Sequence, residues 1–246
     1  FRLLIGAIGA SFVITQYHTS VMFASNVVGT ANATSAGWGN AGGGATQAIM
    51  PLILGALLMF GVEQAMGWRI ALLIPGVMMV IVGVLYWKFT QDCPQGDFKE
   101  LRKKGIEVGS GKKGGTAILI QAACNYRVWI LFVSYAACFG IEIFIHNIAA
   151  MYYVDHFNMG LKEAGLTAGI FGLLALFARA LGGILSDKVA IKNGLDGRTT
   201  LLFILILCEG LFLILFSQMN TIGLAIISMT VFALFTHMSC GATYAL

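Results

Sequence analysis

An arginine in the middle of an apolar run is the first residue in this sequence that demands a chemical explanation. Arg179 follows the stretch Leu173 to Phe177 and precedes Gly182-Gly183. At the centre of a membrane span an arginine costs at least about 2.5–3.5 kcal/mol. Snorkelling to the interface would lower that cost, but Lys188 is better placed for it, roughly 13 Å further along a helix axis. Arg179 is therefore expected to face a polar cavity.

Other polar residues interrupt apolar runs. Glu142, His146 and Asn147 cluster in one of them. Glu142 and His146 are i,i+4 neighbours and can meet on one helix face. Two readings are open: a proton-linked site, since carboxylates and histidines serve as proton relays in membranes, or a structural pair bonding to adjacent helices. Phe144 could wall such a site, or simply pack or face lipid. Glu209 is also intramembrane and has no assigned partner. His18 and His237 read as interhelical hydrogen-bonding groups, because neither has a second ligand at metal spacing.

The segment Ala36-Gly37-Trp38-Gly39-Asn40-Ala41-Gly42-Gly43-Gly44 contains a literal GxGxxG. That pattern binds dinucleotides only between a strand and a helix. Here an uncharged polar linker precedes it and a membrane-length apolar run follows, so a cofactor is not expected. Gly39 and Gly43 make a GxxxG step suited to helix packing. Asn40 needs partners in lipid and is more at home facing a cavity. The glycines beside it would also bring backbone close to a small ligand.

The elements that must hold these residues follow from composition. The chain has 246 residues, 58% hydrophobic and 11% charged, with a mean hydropathy of +0.85. Soluble domains carry about 25% charged residues, whereas a bilayer accepts spans of roughly 20 apolar residues. Seven apolar runs are expected to span, at about 3–24, 38–62, 68–89, 128–153, 164–185, 200–217 and 221–245. The polar stretch from Gln91 to Arg127 carries Lys99, Arg102, Lys103, Lys104, Lys112 and Lys113. Lys188, Lys192 and Arg198 follow the fifth run. By the positive-inside rule these loops, and with them the 24–36 connection, are cytoplasmic. The long loop reads as a solvated linker near anionic lipid, with a regulatory segment as the alternative. Phe1 is no initiator and Leu246 falls within an apolar run, so the sequence reads as a fragment. The five cysteines form no CxxC pair and read as small hydrophobes rather than a disulfide framework or metal site. No basic stripe interleaved with aromatics suggests nucleic acid, and no catalytic triad or cofactor motif points to an enzyme.

Several motifs together resemble the nitrate/nitrite porter family of the major facilitator superfamily, in its algal, plant and cyanobacterial branch. The run AGWGNAGGG resembles that family's first glycine signature, with Ala41 where a larger apolar residue is common. Asp92-Cys93-Pro94-Gln95-Gly96-Asp97 resembles the run after its sixth helix. Phe177 to Lys188 resembles its FARxxGGxxSD stretch, with Ala180 where Pro is frequent and Ala175 where Asn is frequent. The resemblance covers essentially the whole chain, aligned with helices four to ten of twelve. It implies an all-α membrane protein: a partial helical bundle with the end of an N-terminal bundle at 1–90, a cytoplasmic inter-bundle loop at 91–127 and part of a C-terminal bundle at 128–246.

The same resemblance implies a function. The expected activity is transport of nitrate, or nitrite, by alternating access with proton coupling, in a plasma membrane. A transporter of another small organic anion and a non-transporting nitrate sensor remain alternatives. Arg179 would be one of two arginines holding nitrate, whose flat trigonal shape suits the planar guanidinium fork. Asn40, Gly39, Gly43, Phe12, Gln16, Phe144 and Asn147 are the further substrate-binding candidates. Glu142 and His146 are the proton-coupling candidates. Asp187 and Lys188 belong to a gating loop rather than to the substrate site. No metal or other cofactor is implied, and a small accessory membrane protein is a partner left open.

Overall fold

The computed structural model describes residues 9–24, 26–106 and 115–246. Among them are nine α-helices: α1 (Ala10–Met22), α2 (Val28–Met59), α3 (Gln64–Phe89), α4 (Phe98–Lys103), α5 (Gly115–Ala123), α6 (Tyr126–Phe157), α7 (Leu161–Leu173), α8 (Ala175–Ser217) and α9 (Ile222–Thr243). An all-helical solution follows from the solvent, since lipid offers no partners for backbone polar groups and a helix satisfies them internally. Among the described residues five stretches are long and apolar enough to cross a membrane: Val28–Met59, Gln64–Phe89, Tyr126–Phe157, Leu161–Ser217 and Ile222–Thr243.

The expected runs at 164–185 and 200–217 both fall within Leu161–Ser217. Leu174 joins α7 to α8 in a right-handed conformation. The chain turns at Gly194, whose φ of 59° and ψ of −142° lie outside the helical region. A glycine adopts that backbone without the steric penalty of a Cβ. Of the first expected run, 13 residues form α1, and residues 1–8 lie outside the described residues.

α2 departs from its expected boundary. It begins at Val28, so most of the supposed polar linker is the first part of a 32-residue helix, and the glycine-rich run lies inside it. Hydropathy missed this because its polar side chains are satisfied locally. The Thr34 hydroxyl donates to the Thr30 carbonyl at 2.7 Å and the Asn40 amide to that of Ala36 at 2.9 Å. Its small residues Gly29, Ala33, Ala36, Gly37 and Gly44 are buried where α7 and α8 pack on it.

A core of apolar residues ties α6, α7, α8 and α9 together, built on Ile145, Tyr153, Phe171, Phe216, Met229 and Phe232. α3 instead presents Leu73, Val77, Val80 and Val84 outward, as a lipid-facing helix does. In the loop between α3 and α6, the Asp92 carboxylate accepts from the Phe98 N–H at 2.9 Å and so caps α4. Lys112 and Lys113 lie outside the described residues. All five cysteines are free.

Candidate functional site

Arg179 lies on α8 and is 0% exposed, which removes snorkelling as an account of it. Its Nη2 bonds and ion-pairs with Oε2 of Glu142 on α6. Its Nη1 donates to the Tyr244 hydroxyl at 2.9 Å, which in turn lies 2.9 Å from the Tyr135 hydroxyl. The guanidinium carbon sits 5.9 Å from the Phe139 ring centre and 6.0 Å from that of Tyr244, a cation–π arrangement. Tyr135 and Phe139 stack at 5.1 Å. The Nε of Arg179 has no hydrogen-bond partner among the described residues.

Glycines permit this reach. A Cβ at Gly37 of α2 would lie 2.5 Å from the Ala175 carbonyl oxygen and 3.1 Å from the Arg179 Cβ. A Cβ at Gly241 of α9 would collide with the backbone of Arg179 itself. With α2 and α9 so close on either side, α8 holds the arginine within reach of α6.

Glu142 is 1% exposed. Besides Arg179, its Oε2 accepts from the Cys240 thiol at 3.6 Å and faces His237 Nδ1 at 3.5 Å. Its Oε1 faces His146 Nε2 at 3.9 Å. His237 is fully buried, with Nε2 at 2.8 Å from the Phe171 carbonyl oxygen. That is an interhelical hydrogen bond from α9 to α7, as its sequence position suggested. Likewise His18 of α1 reaches the Gln91 carbonyl and the Tyr86 hydroxyl, each at 2.8 Å.

The structure brings some expected residues to this centre and leaves others away from it. Phe12 of α1 reaches it, its ring 6.0 Å from Tyr244. Gln16, one turn on, is partly buried with neither amide atom hydrogen-bonded among the described residues. Gly43 packs under the His146 ring, where a Cβ would lie 3.2 Å from Cε1. Gly39 faces open space. The close packing of α2 thus runs through Gly37 and Gly44, which lie on one helix face because seven residues make about two turns, and not through a Gly39–Gly43 step. Asn40 spends an amide hydrogen on its own helix.

Phe144 is 55% exposed and Asn147 is exposed with its amide on the Ile143 carbonyl at 2.8 Å. Both lie off the face of α6 that carries Glu142, so neither lines this centre. Sequence reasoning missed Tyr135, Phe139, Cys240 and Tyr244. The signal for the first two was there: residues 135, 139, 142 and 146 recur at four, three and four, a single helical stripe.

A second polar cluster ties α2 to α8. Asp187 is buried and accepts from the Thr30 N–H at 2.8 Å and from the Thr30 hydroxyl at 2.6 Å. Arg198 pairs with it at 2.9 Å and also donates to the Ala245 carbonyl at 2.7 Å. Lys188 is exposed. A separate cavity of about 710 Å³ between α1, α2 and α3, lined by residues such as Ile14, Met50, Met78 and Val82, carries no charged group.

The chain is 39% identical over 235 residues to the High affinity nitrate transporter 2.5 of Arabidopsis thaliana, covering 96% of this chain and 46% of that protein. It is 38% identical over 243 residues to Nitrate transporter 2.1 of Chlamydomonas reinhardtii, covering 98% and 44%. To the Nitrate/nitrite transporter NrtP of Nostoc punctiforme it is 23% identical over 313 residues, covering 100% and 61%. The chain spans about half the length of the curated relatives it matches. No solved structure matches it. The sequence profile of the Major Facilitator Superfamily matches residues 1–246 in full, and the chain belongs to that superfamily.

Proposed function

We propose that the full-length protein is a secondary transporter that moves nitrate, and nitrite as a closely related anion, across a membrane by alternating access coupled to protons. The observation that carries this reading is the fully buried Arg179, paired with Glu142 and flanked by Tyr135, Phe139 and Tyr244. The choice of anion is supported by the similarity to nitrate and nitrate/nitrite transporters.

A guanidinium edge presents parallel N–H groups that match two oxygens of a flat oxyanion. Its aromatic neighbours suit an ion that sheds water readily, and the Tyr244 hydroxyl and the second Asn40 amide hydrogen are donors for further oxygens. In the empty site Glu142 occupies the guanidinium. A proton on Glu142 removes that competitor, so the anion binds against the protonated carboxylate. The Arg179–Glu142 pair is neutral when empty, and neutral again with one anion and one proton. The pair itself thus carries no net charge in either state, which limits its cost in the low-dielectric centre.

In this reading 1–90 closes an N-terminal bundle, 91–127 is the cytoplasmic loop, and 128–246 belongs to the second bundle. The Asp187–Thr30 and Asp187–Arg198 contacts tie the two bundles, and their release opens the cytoplasmic face. The membrane is the plasma membrane.

The test is radiolabelled nitrate uptake by the full-length protein in proteoliposomes, with and without an inward proton gradient. Gradient-driven accumulation that is lost in Arg179→Lys supports substrate and site together. Nitrate binding without flux points to a sensor, and preference for an organic anion over nitrate overturns the substrate.

A further inference from the structure

His237 stands in a position where both ring nitrogens face acceptors. Its Nε2 lies 2.8 Å from the Phe171 carbonyl oxygen, which has only lone pairs to offer, so Nε2 must carry a hydrogen. In a neutral imidazole Nδ1 is then a bare lone pair. Yet Nδ1 points at Oε2 of Glu142 from 3.5 Å, and a carboxylate also only accepts. Both residues are buried, at 0% and 1% exposure, so water does not relieve the opposition. One additional proton does.

We propose that Glu142 and His237 hold one proton between them, and that His237 is the group that hands it to Glu142 when an anion takes Arg179. With Arg179 on the carboxylate, the proton resides on Nδ1 and makes an imidazolium that donates to Oε2. As an anion occupies the guanidinium, the Nδ1–H bond breaks, its electron pair stays on the ring, and an Oε2–H bond forms. His237 is left neutral with Nδ1 accepting from the new acid. No oxidation is involved, and the proton count is unchanged by the step.

The surroundings allow this exchange. From α6 the pair meets Glu142 itself and His146, whose partly exposed side chain stands at the other carboxylate oxygen. From α8 it meets Arg179, and Glu209 lies within electrostatic range of Glu142. Cys240 of α9 donates to the same oxygen. The ionisable side chains of α7 are Lys162 and Glu163 in its first turn, and α2 has none. Nδ1 lacks a hydrogen-bond partner among the described residues in both histidines, but only His237 has its other nitrogen held on a carbonyl oxygen while Nδ1 faces the carboxylate; His146 faces it with Nε2, at 3.9 Å. That asymmetry assigns the proton to His237 rather than to the i,i+4 neighbour of Glu142.

The second half of the inference rests on the anion binding at Arg179; the shared proton does not. Two measurements on the full-length protein separate them. Nitrogen-15 spectra of histidine-labelled, nitrate-free protein should contain a buried imidazolium that is absent from Glu142→Gln and becomes neutral on adding nitrate. A neutral His237 in the nitrate-free protein overturns the proposal. Calorimetric nitrate binding across about pH 5 to 8 should weaken by about tenfold per pH unit on the alkaline side, the signature of one linked proton. That slope should be flat in Glu142→Gln, whereas in His237→Gln, where Glu142 must take its proton from solution, it should extend to the acid end of the range. An unaltered slope in a folded His237→Gln overturns the assignment to His237. If the unaltered protein binds no nitrate at any pH, the transport reading fails while the spectra still decide the proton.

Discussion

The Arg179 guanidinium on α8 and the Glu142 carboxylate on α6 are buried partners, so this buried cation is occupied by the protein's own anion. Desolvation makes such a pair a weak source of stability but a costly thing to break on one side. For Arg179→Lys, the lysine keeps charge but not the fork. A hydrogen bond to a charged group contributes about 1.5–3 kcal/mol, so nitrate affinity of the full-length protein should fall by about 10- to 150-fold in calorimetry. An undiminished affinity would place the anion elsewhere.

Removing the carboxylate should have the opposite effect on binding. In Glu142→Gln the guanidinium is freed for nitrate, and the nitrate-free protein loses about 3–5 kcal/mol as an unpaired buried charge is left behind. Thermal unfolding in detergent should therefore show a lower Tm without nitrate and a larger rise with nitrate than in the unaltered protein. Gradient-driven accumulation should vanish. A variant equally stable with and without nitrate would show that Glu142 does not compete for Arg179.

The glycines of α2 separate into two groups that a stability measurement can resolve. Gly44→Val puts a Cβ at 2.5 Å from the Leu173 backbone nitrogen, and overpacking costs about 1–3 kcal/mol. Gly42→Ala meets nothing within 4 Å and should gain about 0.5–1 kcal/mol from helix propensity. Tm shifts of opposite sign are expected; equal shifts would mean that α2 does not approach α7 as closely as Gly44 implies.

Much of this was legible in the sequence, and the exceptions share one cause. Arg179 was recognisable because a charge inside an apolar run is rare, and Glu142 with His146 because i,i+4 spacing is a property of the helix alone. What lay out of reach depends on which helices touch. Nothing in the spacing of residues 142, 179 and 237 shows that three helices bring them to one point. Phe144 and Asn147 looked like neighbours of Glu142 by number, yet two and five residues along a helix turn away from its face. The start of α2 was hidden because Thr34 and Asn40 bond to their own helix, so polarity there does not mean exposure.

Asp187 offers the last test, because it couples the first turn of α2 to α8. Its carboxylate accepts from the Thr30 N–H and hydroxyl and pairs with Arg198, holding an N-terminal helix end where negative charge is favoured. Asp187→Asn removes the charge while keeping the volume. Losing about 1.5–3 kcal/mol of charge-assisted hydrogen bonding should speed amide exchange of residues in the first turn of α2 by about 10- to 150-fold. The second half of α8, beyond Gly194, should exchange as before. Thr30→Val, which spares the backbone bond but deletes the hydroxyl, should give a smaller acceleration at the same amides. Unchanged exchange in Asp187→Asn would show that α2 is held by its glycine packing alone and that this cluster does not latch α2 to α8.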